Sequence, residues 1–491
     1  MAADKRLFGR FFRDAGLSFV SLAVSSLVYF VLRIFLAHYL DEGDLGLYTL
    51  AYTAYQFGVL LSAFGIGGAL VKYVAESGED TSRRGRLLFI GVLISFLIGC
   101  IMWLVLHFSS PWIAHRFFRM PELSRLMQIV AVSFPFIAME KATLGFMNGV
   151  RRMTLYTFVN VFQSLLTIVL TVVLVHLGYG VEGAVVAMVI PMILMGLFSL
   201  FAVRRYLARP TEGQSLPILR ILLRFGVFVV LGNGVYMLFY RIDSILIGHY
   251  LDDVTVGIYA IAGTLSGLVP LIPNAIQIVT QATIPRYWGR GESHSIQNLM
   301  NRAMKYTAML IVPISFVGIV LSRDLITIIF GEEYVSATVP LQILLASFAF
   351  GGIFTAVGTA LSSTNWIHVS FIIGAVQVAA NTVLCVMLIP HLGMNGASAA
   401  TAASHIAGNL VTLYVVQRLL KIAIDWKWFA RFVATSAIVC GGSLALGLVV
   451  NRYLCMVLGL AILVPIIVRY FLSEEDRNMI KRMIPLRSRS S

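Results

Sequence analysis

HYLDEGDLGLYTLAYT, from His38 to Thr53, returns as HYLDDVTVGIYAIAGT, from His249 to Thr264, with eight of sixteen positions identical at an offset of 211 residues. A second pair, GVEGAVVA from Gly180 and GMNGASAA from Gly393, repeats at an offset of 213. Because the two offsets agree, one unit of about 212 residues occurs twice. Each copy has room for six apolar spans, and an even number of crossings returns the chain to its starting side. The reading is two six-helix lobes in the same membrane orientation, 1–210 and 211–422.

The composition supplies the solvent. Of 491 residues, 59% are hydrophobic and 12% charged, against roughly 45–50% and about 25% in soluble domains, and the mean hydropathy is +0.87. At about 20 residues per crossing, the apolar residues fill about fourteen spans and leave no room for a large catalytic domain. The expected fold is an all-α membrane protein of fourteen transmembrane helices. Helices 13 and 14, within 423–472, are added to the two lobes, and 473–491 forms a basic tail.

A net charge of +14 could indicate a nucleic-acid partner, but its placement argues otherwise. Of the 37 Lys and Arg, Arg33, Lys141 and Arg241 fall within spans and Arg116, Arg119, Arg125, Arg323 and Arg452 on one face, which leaves 29 on the other. That asymmetry puts both termini in the cytoplasm of a multi-pass protein of the cell membrane, with no nucleic acid bound. The basic N-terminus leads into an apolar run without a cleavage site and reads as a retained first span. Cys100, Cys385, Cys440 and Cys455 are scattered through apolar stretches, which argues against a disulfide framework or a metal site. External connections are short, the longest running from Pro111 to Glu122, and no Walker-type loop occurs.

The Gly-x-Tyr motifs ending at Tyr48 and Tyr259, the G-x-x-G-A turns at Gly180 and Gly393 and the fourteen-span count resemble the polysaccharide exporters, the Wzx-like oligosaccharide flippases, of the multidrug/oligosaccharidyl-lipid/polysaccharide superfamily. The resemblance covers nearly the whole chain and implies a MATE-like transporter, not an enzyme. It would move a lipid-linked oligosaccharide for surface polysaccharide or lipopolysaccharide synthesis from the cytoplasmic to the external leaflet by alternating access. Its partners would be that substrate, membrane lipids and glycan assembly enzymes; no cofactor is implied, and coupling to H⁺ or Na⁺ has no assigned site. A cation-coupled multidrug exporter shares the scaffold. A membrane glycan polymerase or transferase is the reading from another class, and it would need a carboxylate cluster held in a loop that this chain lacks.

Ionised groups near mid-bilayer cost roughly 2.5–3.5 kcal/mol each on insertion scales, so each needs a partner, water or a task. Arg33 ends a stripe of Ser18, Ser21, Ser25 and Tyr29, spaced three and four apart and expected to face an internal cavity. Asn233, Tyr236, Tyr240 and Asp243 form a comparable stripe in span seven, with Arg241 off its centre. Asp243 lies at the depth of Arg33 in the other copy, and the two are expected to meet as an outer gate. Glu140 and Lys141 are adjacent and about 100° apart on their helix, so each is expected to look to another helix. Tyr48, Tyr52, Tyr55 and Gln56, with Asn274, Gln277 and Gln281, suit sugars: aromatic faces cover pyranose rings and amides satisfy hydroxyls. His38 and His249 are expected to cap helices at the external surface.

Cysteines placed in Pro111–Glu122 and Arg323–Glu333 should react with an impermeant thiol reagent from outside intact cells. Labelling of both segments only after permeabilisation reverses the topology.

Overall fold

The computed structural model describes residues 2–209, 215–447, 449–472 and 474; the expected boundary at 210–211 and most of the basic tail lie outside them. Helices carry the fold: α1 (Ala2–Tyr39), α2 (Glu42–Ala63), α3 (Ile66–Glu76), α4 (Thr81–Trp112), α5 (Glu122–Ala131), α6 (Phe134–Gly149), α7 (Met153–Leu174), α8 (Gly180–Val203) and α9 (Ser215–Tyr250). They continue with α10 (Asp253–Ser266), α11 (Leu271–Gly289), α12 (Ser293–Val320), α13 (Ser322–Ile329), α14 (Thr338–Ile353), α15 (Thr355–Ser362), α16 (Ile367–Leu419), α17 (Trp426–Gly447) and α18 (Arg452–Ile466).

Among the described residues, ten helical units are long and apolar enough to cross a membrane, or twelve if each of two bent pairs is one span, against fourteen expected. The difference has a geometric cause. Two units, Met153–Tyr206 and Ile367–Leu419, hold 54 and 53 residues, and each doubles back on itself. The Phe158 and Phe198 rings lie 5.7 Å apart across the first, and Thr401 donates to Asn381 Oδ1 at 3.4 Å across the second. Twenty residues of straight helix would separate that second pair by about 30 Å. The reversals occur at Gly180 (φ 51, ψ −139) and Gly393 (φ 57, ψ −139), a conformation essentially reserved for glycine. The paired G-x-x-G-A motifs are thus the same turn made twice.

The other repeated motif is built with equal consistency. Asp41 Oδ1 accepts from the Asp44 N–H at 2.7 Å at the start of α2, and Asp252 Oδ1 accepts from the Thr255 N–H at 2.7 Å at the start of α10. Each caps its helix. Just inside them Gly46 and Gly257 meet: a Cβ on Gly46 would overlap the Asp253 carbonyl, and one on Gly257 the Glu42 carbonyl. The two copies of the motif therefore cross backbone against backbone, with Tyr48 and Tyr259 buried beside the crossing.

The chain forms two compact units: Met1–Ile261 with Ile329–Tyr334 and Ile389–Met394, and the remainder. In the first, α6 is the central helix, buried nearly all round, and packs against α3, α4 and α8. Gly67 of α3 and Gly145 of α6 are in backbone contact. Helix α9 packs on α2, α3 and α4 and so belongs to this unit. In the second unit, Lys305 of α12 bonds Asp425 at 2.7 Å ahead of α17, and Arg452 of α18 bonds Asp324 of α13 at 2.6 Å. The Lys305 hydrogen bond holds the Asp425 carboxyl below the usual carboxylate range.

Gly46→Leu or Gly257→Leu should lower stability by more than the ~1–3 kcal/mol of ordinary overpacking, because backbone must move. Gly263→Leu, where added atoms meet open space, should not. Thermal unfolding of the three purified variants gives the comparison.

Candidate functional site: a tyrosine and arginine cluster in the first unit

The face of α2 organises the first unit's polar residues. Tyr52 is central: its ring centroid lies 6.3 Å from Tyr48, 5.8 Å from Tyr55 and 6.3 Å from Tyr29 of α1. The Arg241 guanidinium of α9 sits 5.6 Å from the centre of the same ring, and Arg241 Nε donates to Gln56 Oε1 at 2.6 Å. Arg241, expected to be off its stripe, is thereby tied to the sugar-binding candidates on α2. A guanidinium over a tyrosine face is favourable by ~0.5–2 kcal/mol, more so as water is excluded.

Arg33 Nη2 donates to Thr49 Oγ1 at 2.7 Å, and the Thr49 hydroxyl in turn donates to the Leu45 carbonyl at 2.7 Å. In the second copy a carboxylate stands one position before the counterpart of Arg33, which is Ser244: Asp243, only 6% exposed, accepts from Tyr259 Oη at 2.8 Å. Both bonds span sixteen residues, from one helix of a copy to the next. Arg33 and Asp243, the pair expected at the gate, thus each hold a partner within their own repeat.

Glu140 is fully buried in α6. Its Oε2 accepts from Gln163 of α7 at 3.3 Å, while Lys141 Nζ comes to 3.8 Å from Oε1. The expectation that the two neighbours look apart is corrected for Lys141, whose flexible stem folds back toward Glu140. Glu140 does look to another helix. Oε1 makes no hydrogen bond, and the Lys141 side chain remains 37% exposed.

The α1 stripe divides in two. Ser21 is buried and Ser25 bonds Ser164 of α7 at 2.8 Å, so its lower part holds helices together, while Tyr29, 38% exposed, reaches the cluster. The Ser18 side chain lies outside the described residues. Tyr236 and Tyr240 form an exposed pair on α9 with centroids 4.7 Å apart. Asn274, Gln277 and Gln281 lie on α11 in the second unit, Asn274 and Gln281 exposed and Gln277 half-buried. His38 bonds the Ile34 carbonyl of its own last turn, and His249 bonds the Phe117 carbonyl at 2.8 Å. Sequence reasoning missed Thr49 and Gln163. Gln163 was detectable, since Asn160, Gln163, Ser164, Thr167 and Thr171 make a polar stripe on an otherwise apolar α7.

Among the described residues no group of three or more His, Cys, Asp or Glu is placed to hold a metal. Around Tyr52 the first unit thus gathers the phenols of Tyr29, Tyr48 and Tyr55, the amide of Gln56 and the guanidinium of Arg241, groups of the kind that can substitute for water around a polar solute.

Residues 11–287 match the family model described as polysaccharide biosynthesis protein. The chain belongs to that family. Residues 229–387 also match the MatE model. The probable flippase AglR of Haloferax volcanii is 24% identical over 412 residues, which cover 83% of this chain and 84% of that one. The teichuronic acid biosynthesis protein TuaB of Bacillus subtilis is 23% identical, over 59% and 58% of the two chains. Among solved structures, the lipid II flippase MurJ in an inward closed conformation superposes with a TM-score of 0.75 at 16% identity, over 94% of this chain and 99% of that one. An inward-facing MATE multidrug transporter of the MOP superfamily gives 0.67 at 15% identity, over 82% and 98%. The chain therefore shares the fold of these two transporters.

Lys141→Met removes the counter-charge of a buried carboxylate and should destabilise the protein by up to ~3–5 kcal/mol, less to the extent that solvent reaches the pair. Adding Glu140→Gln should restore most of the loss. Equal melting temperatures for the wild type and the single variant would show that Lys141 makes no net contribution to stability at this pair.

Proposed function

We propose that this protein is a flippase that carries a lipid-linked oligosaccharide, joined to its lipid through pyrophosphate, from the cytoplasmic to the external leaflet of the cell membrane by alternating access. The observation that carries the reading is the match of residues 11–287 to the polysaccharide biosynthesis family, joined to two relatives from Haloferax volcanii named as a probable flippase and a probable low-salt glycan biosynthesis flippase. The chemistry agrees with it. The cargo's lipid tail can stay in hydrocarbon, while its phosphates and hydroxyls need substitute solvation at every depth. Arg33, Arg241 and Lys141 outnumber Glu140 and Asp243 among the intramembrane charges, which favours an anionic head group. In the first unit Tyr29, Tyr52, Gln56, Tyr236 and Tyr240 would meet its sugars, and the amides of Asn274, Gln277 and Gln281 in the second unit are suited to the same task. No bond is made or broken in this reading, so the protein acts as a transporter and not as an enzyme.

The MatE match and the buried Glu140 favour a second reading, a cation-coupled multidrug exporter. Glycan export and drug efflux separate the two.

Arg33→Gln and Lys141→Gln should each reduce glycan export by about tenfold or more in a complementation assay, the loss expected from one charge-assisted contact to phosphate. Drug susceptibility should not change. If both variants insert normally and export at the full rate, these residues are structural and the proposed binding mode fails.

A further inference from the structure

Away from the cluster, one cavity joins apolar walls to two cations. A groove of about 490 Å³ is lined by Phe64 at the α2–α3 break and by Leu219, Arg220, Leu223, Arg224 and Val227 of α9. That volume is in the ~300–1,000 Å³ range of small-ligand sites. The break shapes it: Phe64 (φ 44) and Gly65 (φ 64) both take the left-handed conformation, and Gly65 lies against Gly226 and Val229 of α9. Arg220 and Arg224 are four residues apart, so they share one face of α9, about 6 Å apart along its axis. Both are exposed, and no acidic residue lines the groove.

We propose that this groove binds an anionic phospholipid, with its phosphate between Arg220 and Arg224 and an acyl chain along Phe64, Leu219, Leu223 and Val227. Two guanidiniums one turn apart hold a phosphate from two sides. Basic pockets at the cytoplasmic ends of membrane helices are where anionic lipid head groups collect, and the charge asymmetry assigns this end of α9 to the cytoplasm. The lining contains no amide, hydroxyl or tyrosine to meet a glycan. That sets it apart from the cluster around Tyr52 and favours a phospholipid over the transported cargo.

The test uses the full-length protein in detergent, titrated with short-chain phosphatidylglycerol and phosphatidylcholine. Phosphatidylglycerol should bind more tightly, and the Arg220→Gln/Arg224→Gln double variant should lose about thirtyfold of that affinity, the loss expected for two basic groups at a membrane surface. Leu223→Trp, which fills the groove and leaves both charges, should block binding as well. Equal affinity for the two lipids, or phosphatidylglycerol binding unchanged in both variants, overturns the proposal. Tighter binding of a polyprenyl diphosphate, lost in the double variant, also overturns it and gives the groove to the cargo. If the variants fail to fold, the wild type decides: phosphatidylglycerol must raise its unfolding temperature more than phosphatidylcholine does at equal concentration.

Discussion

The crossing of α2 and α10 at Gly46 and Gly257 is the contact on which the first unit's site depends. In a membrane, apolar surface does not drive helices together, since lipid is as apolar as a leucine side chain, and close backbone approach through small residues takes over that role. Here the approach joins the same motif from each copy of the repeat, capped by Asp41 and Asp252. Because α2 is held there, its following turns present Tyr48, Thr49, Tyr52 and Gln56 in fixed register to α1 and α9. A side chain at either glycine would separate α2 from α10.

The intramembrane charges follow one rule with several outcomes. Each has an attached dipole or counter-charge. Thr49 for Arg33, Gln56 for Arg241 and Tyr259 for Asp243 are neutral partners at 2.6–2.8 Å. Neutral partners solvate a charge without cancelling it, so an arginine so held keeps its attraction for an anion. Glu140 differs: it is enclosed in the most buried helix, with one oxygen unbonded and a lysine that is itself partly open to solvent.

The repeat illustrates how one backbone plan carries different chemistry. Gly180 and Gly393 adopt nearly the same φ and ψ, and Asp41 and Asp252 cap in the same way. Yet a sixteen-residue hydrogen bond joins an arginine to a threonine in one copy, and one position earlier in the other a carboxylate to a tyrosine. Scaffold positions are constrained by backbone geometry, which glycine and aspartate satisfy locally, whereas side-chain partners depend only on what lies opposite.

By itself the sequence determined the helical membrane fold, the duplicated unit and the residues bearing charge in hydrocarbon. Each of those is a local or periodic property: apolar run length, a fixed offset, the cost of an isolated ion. Only the tertiary structure decided the partners. It turned the serine part of the α1 stripe onto α7 at Ser164, brought Arg241 to Gln56 across 185 residues, folded Lys141 toward Glu140 and set Gly46 against Gly257. Those pairings depend on the rotation and depth of whole helices against one another. Side-chain periodicity fixes a helix's face but not what that face meets, because in lipid many rotations bury equal apolar area and the choice falls to small-residue contacts and a few hydrogen bonds.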